Sequence, residues 1–188
     1  MTIRKIIYSL VCLLVLTSCS TDQASVQEVA AFTFTDQNEE AFGTDDLQGK
    51  VWIASFVFSS CDTVCPPMMA EMASLQAEIE SRNLTADFVS FSVDPEHDTP
   101  EVLKDFLQQF TKDETNWHML TGYTQEEIET FARSQFQTIV QKPEDSNQVI
   151  HGTNFYLVDD KGYIINEYNY SDESYVEEII EEIYRVSN

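Results

Sequence analysis

Cys61 and Cys65 lie in the run Phe58-Ser59-Ser60-Cys61-Asp62-Thr63-Val64-Cys65-Pro66-Pro67-Met68. Two thiols at this spacing can close as a disulfide, cycle as a dithiol redox centre, or grip a soft metal ion. The chain has four cysteines. Cys12 falls within an N-terminal apolar run, and Cys19 ends Leu16-Thr17-Ser18-Cys19, so Cys61 and Cys65 are the thiols left free for chemistry. A structural zinc site usually takes four Cys or His ligands, and the three histidines, at 97, 118 and 151, are scattered. A purely structural disulfide would close a very short loop and constrain the unfolded chain only modestly. Soft thiolates select cuprous copper, whereas cupric copper also accepts imidazole. At the start of a helix, amide hydrogens and the positive end of the dipole favour a thiolate.

Other donors are weighed against this pair. His151 ends a polar run, 141–148, and begins a segment that can lie beside the cysteine strand; it is the best imidazole candidate. His97 sits in a charged loop and reads as solvated, and His118 as packed on a strand. Met68, Met69 and Met72 carry thioether sulfur, but their helical spacing makes them core residues. Asp94 ends the strand expected beside the cysteine strand, at the end of a parallel sheet where sites form. There is no Ser-His-Asp arrangement, phosphate loop or paired-carboxylate motif.

The elements that must position these residues follow from periodicity. Residues 31–35 alternate as a strand. Residues 51–58 form a nearly continuous apolar run suited to a central strand covered on both faces. A helix opens near Pro66, where proline is tolerated in the first turn; it places Met68, Met72, Leu75 and Ile79 inward. Phe88 to Val93 is a second strand, and Thr99-Pro100 opens a second helix. Trp117 to Leu120 is a short strand, and Thr124-Gln125-Glu126-Glu127 is a capping box for a third helix. Residues 153–158 and 163–167 form a hairpin about Asp159-Asp160-Lys161-Gly162, and a last helix follows Ser174. The order predicts an α/β single domain: a central mixed sheet flanked by helices, with an N-terminal strand extension and a C-terminal hairpin plus helix.

The ends and the charge bound the setting. Arg4 and Lys5, then the apolar Ile6 to Leu16, then small residues before Cys19 read as a lipoprotein-type signal over 1–18. Cys19 would be the acylated first mature residue, 19–30 a tether and 31–188 the folded domain. This places the protein at the extracytoplasmic face of the cell membrane, held by lipid chains, where dithiols can be oxidised. Ten basic residues against 33 acids give a formal net charge of −23. That excludes the basic surface nucleic-acid binding requires and disfavours broad contact with anionic lipid.

The chain resembles the Sco/SenC family, most closely its lipid-anchored Gram-positive members. The matching runs are 51–68 with Cys61-x-x-x-Cys65-Pro66-Pro67-Met68, Ser90-Phe91-Ser92-Val93-Asp94-Pro95-Glu96, 117–123, Val149-Ile150-His151 and Phe155-Tyr156-Leu157-Val158, in family order. The resemblance implies a thioredoxin-like fold and copper, as Cu+ or Cu2+, held by Cys61, Cys65 and His151, with Asp94 in the surrounding shell. It also implies a role in assembling the dinuclear copper centre of cytochrome c oxidase, as copper donor, as dithiol reductant through Cys61 and Cys65, or both. The implied partners are the oxidase's copper-centre subunit and other copper chaperones or thiol reductants; such a protein is a metallochaperone rather than a dedicated enzyme. The sequence departs from redox thioredoxins at Thr153, which falls about where those proteins carry a cis-proline. Gly152, where the family often has a polar residue, is expected to loosen the loop after His151. The rival reading is a thiol-disulfide reductase or peroxidase-like enzyme using the same cysteines, which would need no third ligand.

Overall fold

Every residue of the strand Trp52–Val57 is buried, as an apolar run covered on both faces requires. This strand is the centre from which the rest of the domain is built. The computed structural model describes residues 27–144, 146, 148–172 and 174–186. In chain order the strands are β1 (Gln27–Glu28), β2 (Thr33–Thr35), β3 (Ala41–Gly43), β4 (Trp52–Val57), β5 (Asp87–Ser92), β6 (Trp117–Leu120), β7 (Val140–Gln141), β8 (Ile150–His151), β9 (Asn154–Val158) and β10 (Tyr163–Asn169). The helices are α1 (Cys65–Ser81), between β4 and β5; α2 (Pro100–Leu107), between β5 and β6; α3 (Gln125–Phe136), between β6 and β7; and α4 (Tyr175–Val186), after β10.

Six strands form one mixed sheet in the order β1-β10-β9-β4-β5-β6. β4, β5 and β6 run parallel, while β9 is antiparallel to β4 and β10 to β9. One face is covered by α3 through aromatic contacts: Phe136 meets Phe56 at 5.2 Å and Tyr156 at 5.2 Å between ring centroids. Offset and edge-on ring pairs of this kind add to simple area burial. On the other face α4 packs through Tyr175, whose ring lies 5.6 Å from Phe155. Its hydroxyl donates to a Glu71 carboxylate oxygen on α1 at 2.9 Å. Met68, Met69, Met72, Leu75 and Ile79 of α1 are all buried, as the helical spacing predicts. α3 opens with the expected capping box, Thr124 and Glu127 each bonding the other's backbone amide. Among the described residues no helix is long and apolar enough to cross a membrane.

The structure corrects several expectations. The tether expected over 19–30 ends earlier: Gln27 and Glu28 pair antiparallel with Ile164 and Tyr163 of β10, and Val29 is buried in the core. Polar side chains hid this edge strand, because its ordering comes from backbone pairing. The N-terminal strand extension expected over 31–35 is present as β2, which pairs with β3 and meets the main sheet through a Thr35–Thr121 bridge. His151 does not lie on a main-sheet strand beside β4. It sits on β8, which pairs with β7 in a separate two-stranded ribbon, Val140 opposite His151. The signal segment and Cys19 lie outside the described residues.

Candidate metal centre

β4 ends inside the core, and the chain must turn before α1 begins. Cys61 lies in that turn, its amide donating to the Phe58 carbonyl at 3.4 Å. α1 starts without a side-chain cap, with Pro66 and Pro67 in its first turn. Amides at a helix start have no intrahelical acceptor. One of them, the Cys65 N–H, points at the Cys61 sulfur at 3.4 Å. The local fold therefore supplies the thiolate-stabilising geometry expected of a thiol at a helix N-terminus. Both cysteines are free and buried.

The third member arrives from 86 residues away. His151 Nε2 lies 3.5 Å from Cys65 Sγ, and its Nδ1 lies 2.8 Å from the Gly152 carbonyl oxygen. A carbonyl only accepts, so Nδ1 carries the proton and Nε2 presents its lone pair to the sulfurs. The Phe58 ring stands edge-on to the imidazole, 5.7 Å between centroids at 89°, and fixes its plane. The sulfurs of Cys61 and Cys65 and a His151 ring nitrogen all lie within 4.8 Å of one another. Two soft donors and one imidazole, already turned inward and partly shielded from water, match what copper takes in either oxidation state.

The surroundings divide the two thiols. Burial pushes the Cys61 thiol up, but the Cys65 backbone amide and the Thr63 backbone and hydroxyl outweigh it and bring its pKa below the ordinary thiol value. Burial pushes Cys65 well up; the Phe58 backbone opposes this, while the Cys61 sulfur and the Asp98 carboxylate add to it. Burial also holds His151 below its usual range, partly offset by the Gly152 carbonyl, so the imidazole is neutral near pH 7.

Asp94 is not brought into the convergent group. It is buried, and its Oδ1 pairs with Lys142 Nζ at 2.8 Å. The carboxylate that does reach the cysteine turn is Asp98, the residue after His97 in the charged loop. Asp98 is fully buried. It accepts from the Ser59 amide at 3.2 Å, the Ser59 hydroxyl at 2.5 Å and the Ser92 hydroxyl at 2.6 Å. Its place just past the end of β5, next to β4, was the available signal. His97 is mostly exposed, with Nδ1 3.3 Å from Asp98 Oδ1. His118 stacks on Phe42 at 3.7 Å between centroids. Both stay out of the site, and the buried α1 methionines serve as core. Gly152 is not a point of looseness. A β-carbon there would meet Thr138 Oγ1 at 2.1 Å, and its amide donates to the Ile139 carbonyl at 3.1 Å. Glycine is needed for that close approach.

Comparison with known proteins agrees with this geometry. The family model described as SCO1/SenC matches residues 20–188. The crystal structure of a SCO1/SenC family lipoprotein from Bacillus anthracis str. Ames is 48% identical, with a TM-score of 0.85, covering 87% of this chain and 97% of that one. BsSco, a member of the Sco family of cytochrome c oxidase assembly proteins with an identified disulfide switch, is 42% identical with a TM-score of 0.80; the match covers 87% of this chain and 95% of BsSco. Bradyrhizobium japonicum ScoI, solved with copper bound, is 26% identical with a TM-score of 0.68, covering 85% and 99%.

Proposed function

The chain belongs to the SCO1/SenC family and has its thioredoxin-like fold, and we propose that it binds copper through Cys61, Cys65 and His151 and assists assembly of the dinuclear copper centre of cytochrome c oxidase. The observation that carries the reading is the inward-turned Nε2 of His151, 3.5 Å from Cys65 Sγ. A dithiol reductase needs two sulfurs and no imidazole; a copper carrier gains from the third donor. The copper bound by a relative and the oxidase-assembly role of BsSco support the same assignment.

Copper is cargo in this account. Cys61 and Cys65 supply the soft donors, and His151 supplies the one that stabilises the harder, cupric ion. The same two thiols can pass electrons by closing a disulfide, releasing two electrons and two protons to an oxidised partner. Delivery and reduction are thus two uses of one site. We place the protein on the outer face of the cell membrane, held by lipid on Cys19 after removal of residues 1–18. Cys19→Ala should release it from membranes; retention with an unprocessed signal would instead indicate a membrane-spanning anchor.

The functional test is loss of the gene. Activity of an oxidase with the dinuclear copper centre should fall, and a quinol oxidase lacking it should be spared. Excess copper should restore activity if donation dominates, and added small thiols should restore it if reduction dominates. Normal dinuclear-copper oxidase activity under copper limitation, with no second homologue present, would overturn the assembly role and leave a thiol-disulfide reductase or peroxidase-like enzyme as the reading.

A further inference from the structure

The two halves of the ligand set come from separate pieces of structure, and both are tied to the same short turn. That turn, residues 94–98, follows β5 and is closed by the amides of His97 and Asp98 donating to the Asp94 carbonyl at 3.0 and 2.9 Å. On one side the buried Asp98 carboxylate holds Ser59, two residues before Cys61. On the other side the turn presents Asp94 and Glu96, and both carboxylates take Lys142 Nζ at 2.8 Å. Lys142 directly follows β7 and lies two residues past Val140, the cross-strand partner of His151.

We propose that Lys142 is the positioning residue for His151, clamping the β7–β8 ribbon to the turn that also holds the cysteine loop. The inference rests on His151 being a copper ligand. The ribbon needs such a clamp because its own pairing is two residues long on each strand. Two-stranded ribbons are marginal alone. Its base is fixed by the Gly152 amide on the Ile139 carbonyl, and the Lys142 backbone amide is held by Glu129 of α3 at 3.0 Å. Beyond the contacts His151 itself makes with Cys65 and Phe58, the Lys142 side chain is what ties the ribbon to the turn that holds Ser59. Lys142 is suited to it: its side chain is 21% exposed and the Asp94 side chain 5%, so the inner ion pair is largely shielded from salt and water. Asp94 then acts on the site through Lys142 rather than by touching copper, and the turn sets the spacing between sulfur and imidazole.

The test compares copper release from the detergent-solubilised full chain, loaded with copper and challenged with a chelator. Lys142→Leu should release copper about tenfold faster, the scale typical of losing a group that orients a ligand. Imidazole-nitrogen coupling in the cupric spectrum should weaken, and Lys142→Arg should restore both readings. Asp94→Asn should give a similar loss, and its combination with Lys142→Leu should add little. Thermal melts run alongside; if Lys142→Leu lost its cooperative transition, Asp94→Asn carries the same prediction from the other side of the ion pair. Wild-type release from Lys142→Leu, with His151→Ala still fast, would overturn the clamp and leave the ligand assignment standing. An Asp94→Asn defect beside a silent Lys142→Leu would overturn it too, by placing Asp94 at the metal. Wild-type release from His151→Ala would overturn the ligand assignment, and the clamp with it.

Discussion

Cys61 and Cys65 differ in what their neighbours do to a charge on sulfur, and this divides their roles. The Cys65 amide and Thr63 favour a thiolate at Cys61, while Cys65 lies fully buried beneath it with its proton held more tightly. Iodoacetamide should therefore modify Cys61 first in the reduced, metal-free protein. A group with a lowered pKa keeps its anion as pH falls, so that reaction should persist at a pH where a free cysteine has slowed; Cys65 should react mainly after unfolding. Peptide mapping across pH checks both, and equal labelling of the two would contradict the asymmetry. At Gly152 the issue is space. Gly152→Ala should destabilise the fold by about 1–3 kcal/mol, as overpacking does, because the new carbon meets Thr138 Oγ1. Adding Thr138→Ala should recover part of the loss in a denaturant titration. The sequence showed that a glycine follows His151, but the reason for it lies in a side chain 14 positions earlier, visible only once β7 and β8 are paired.

At the scale of elements, length decided what could be read. β4, β5, α1 and α3 follow from long apolar runs, helical spacing and a capping box, and each stands within a residue or two of its expected place. β1, β3, β7 and β8 are two or three residues long. They hold their shape by backbone pairing, β1 with distant β10 and the others with a nearby strand, and strands this short leave no period in the side chains. Cys61 and Cys65 were legible because they sit on a turn between two strong elements. The placement of His151 on β8 rather than on the strand beside β4 was not, because the ribbon emerges from a polar run. Asp98 was missed for a related reason: a buried acid in a charged loop looks like its solvated neighbours until its serine partners fold onto it. α1 carries the most direct prediction at this scale. Met72 is fully buried, so Met72→Ala should cost about 2–5 kcal/mol, the range for emptying a core methionine. Because Met72 packs in the core away from the convergent donors, copper stoichiometry should stay unchanged. A mild loss of stability would contradict the core role, and a loss of copper from a folded variant would show that Met72 does more than fill space.

At the scale of the molecule, the sheet order joins sites remote in sequence. β4 delivers the cysteine turn, β5 beside it delivers the acidic turn, and the ribbon before β9 folds His151 over both. The strongly acidic composition said which partners to exclude, and the family resemblance named the ligand set; the geometry supplies the tautomer, the shielding and the spacing behind it. The central claim is that three donors, not two, make the site. Its most direct test is copper titration of the reduced full chain against a competing chelator, with wild type, Cys61→Ala, Cys65→Ala and His151→Ala in parallel. Wild type should bind one copper per chain, and either cysteine variant should lose tight binding. His151→Ala should keep a looser two-sulfur site that favours cuprous over cupric copper. Cupric and cuprous binding by His151→Ala as tight as wild type would contradict the account.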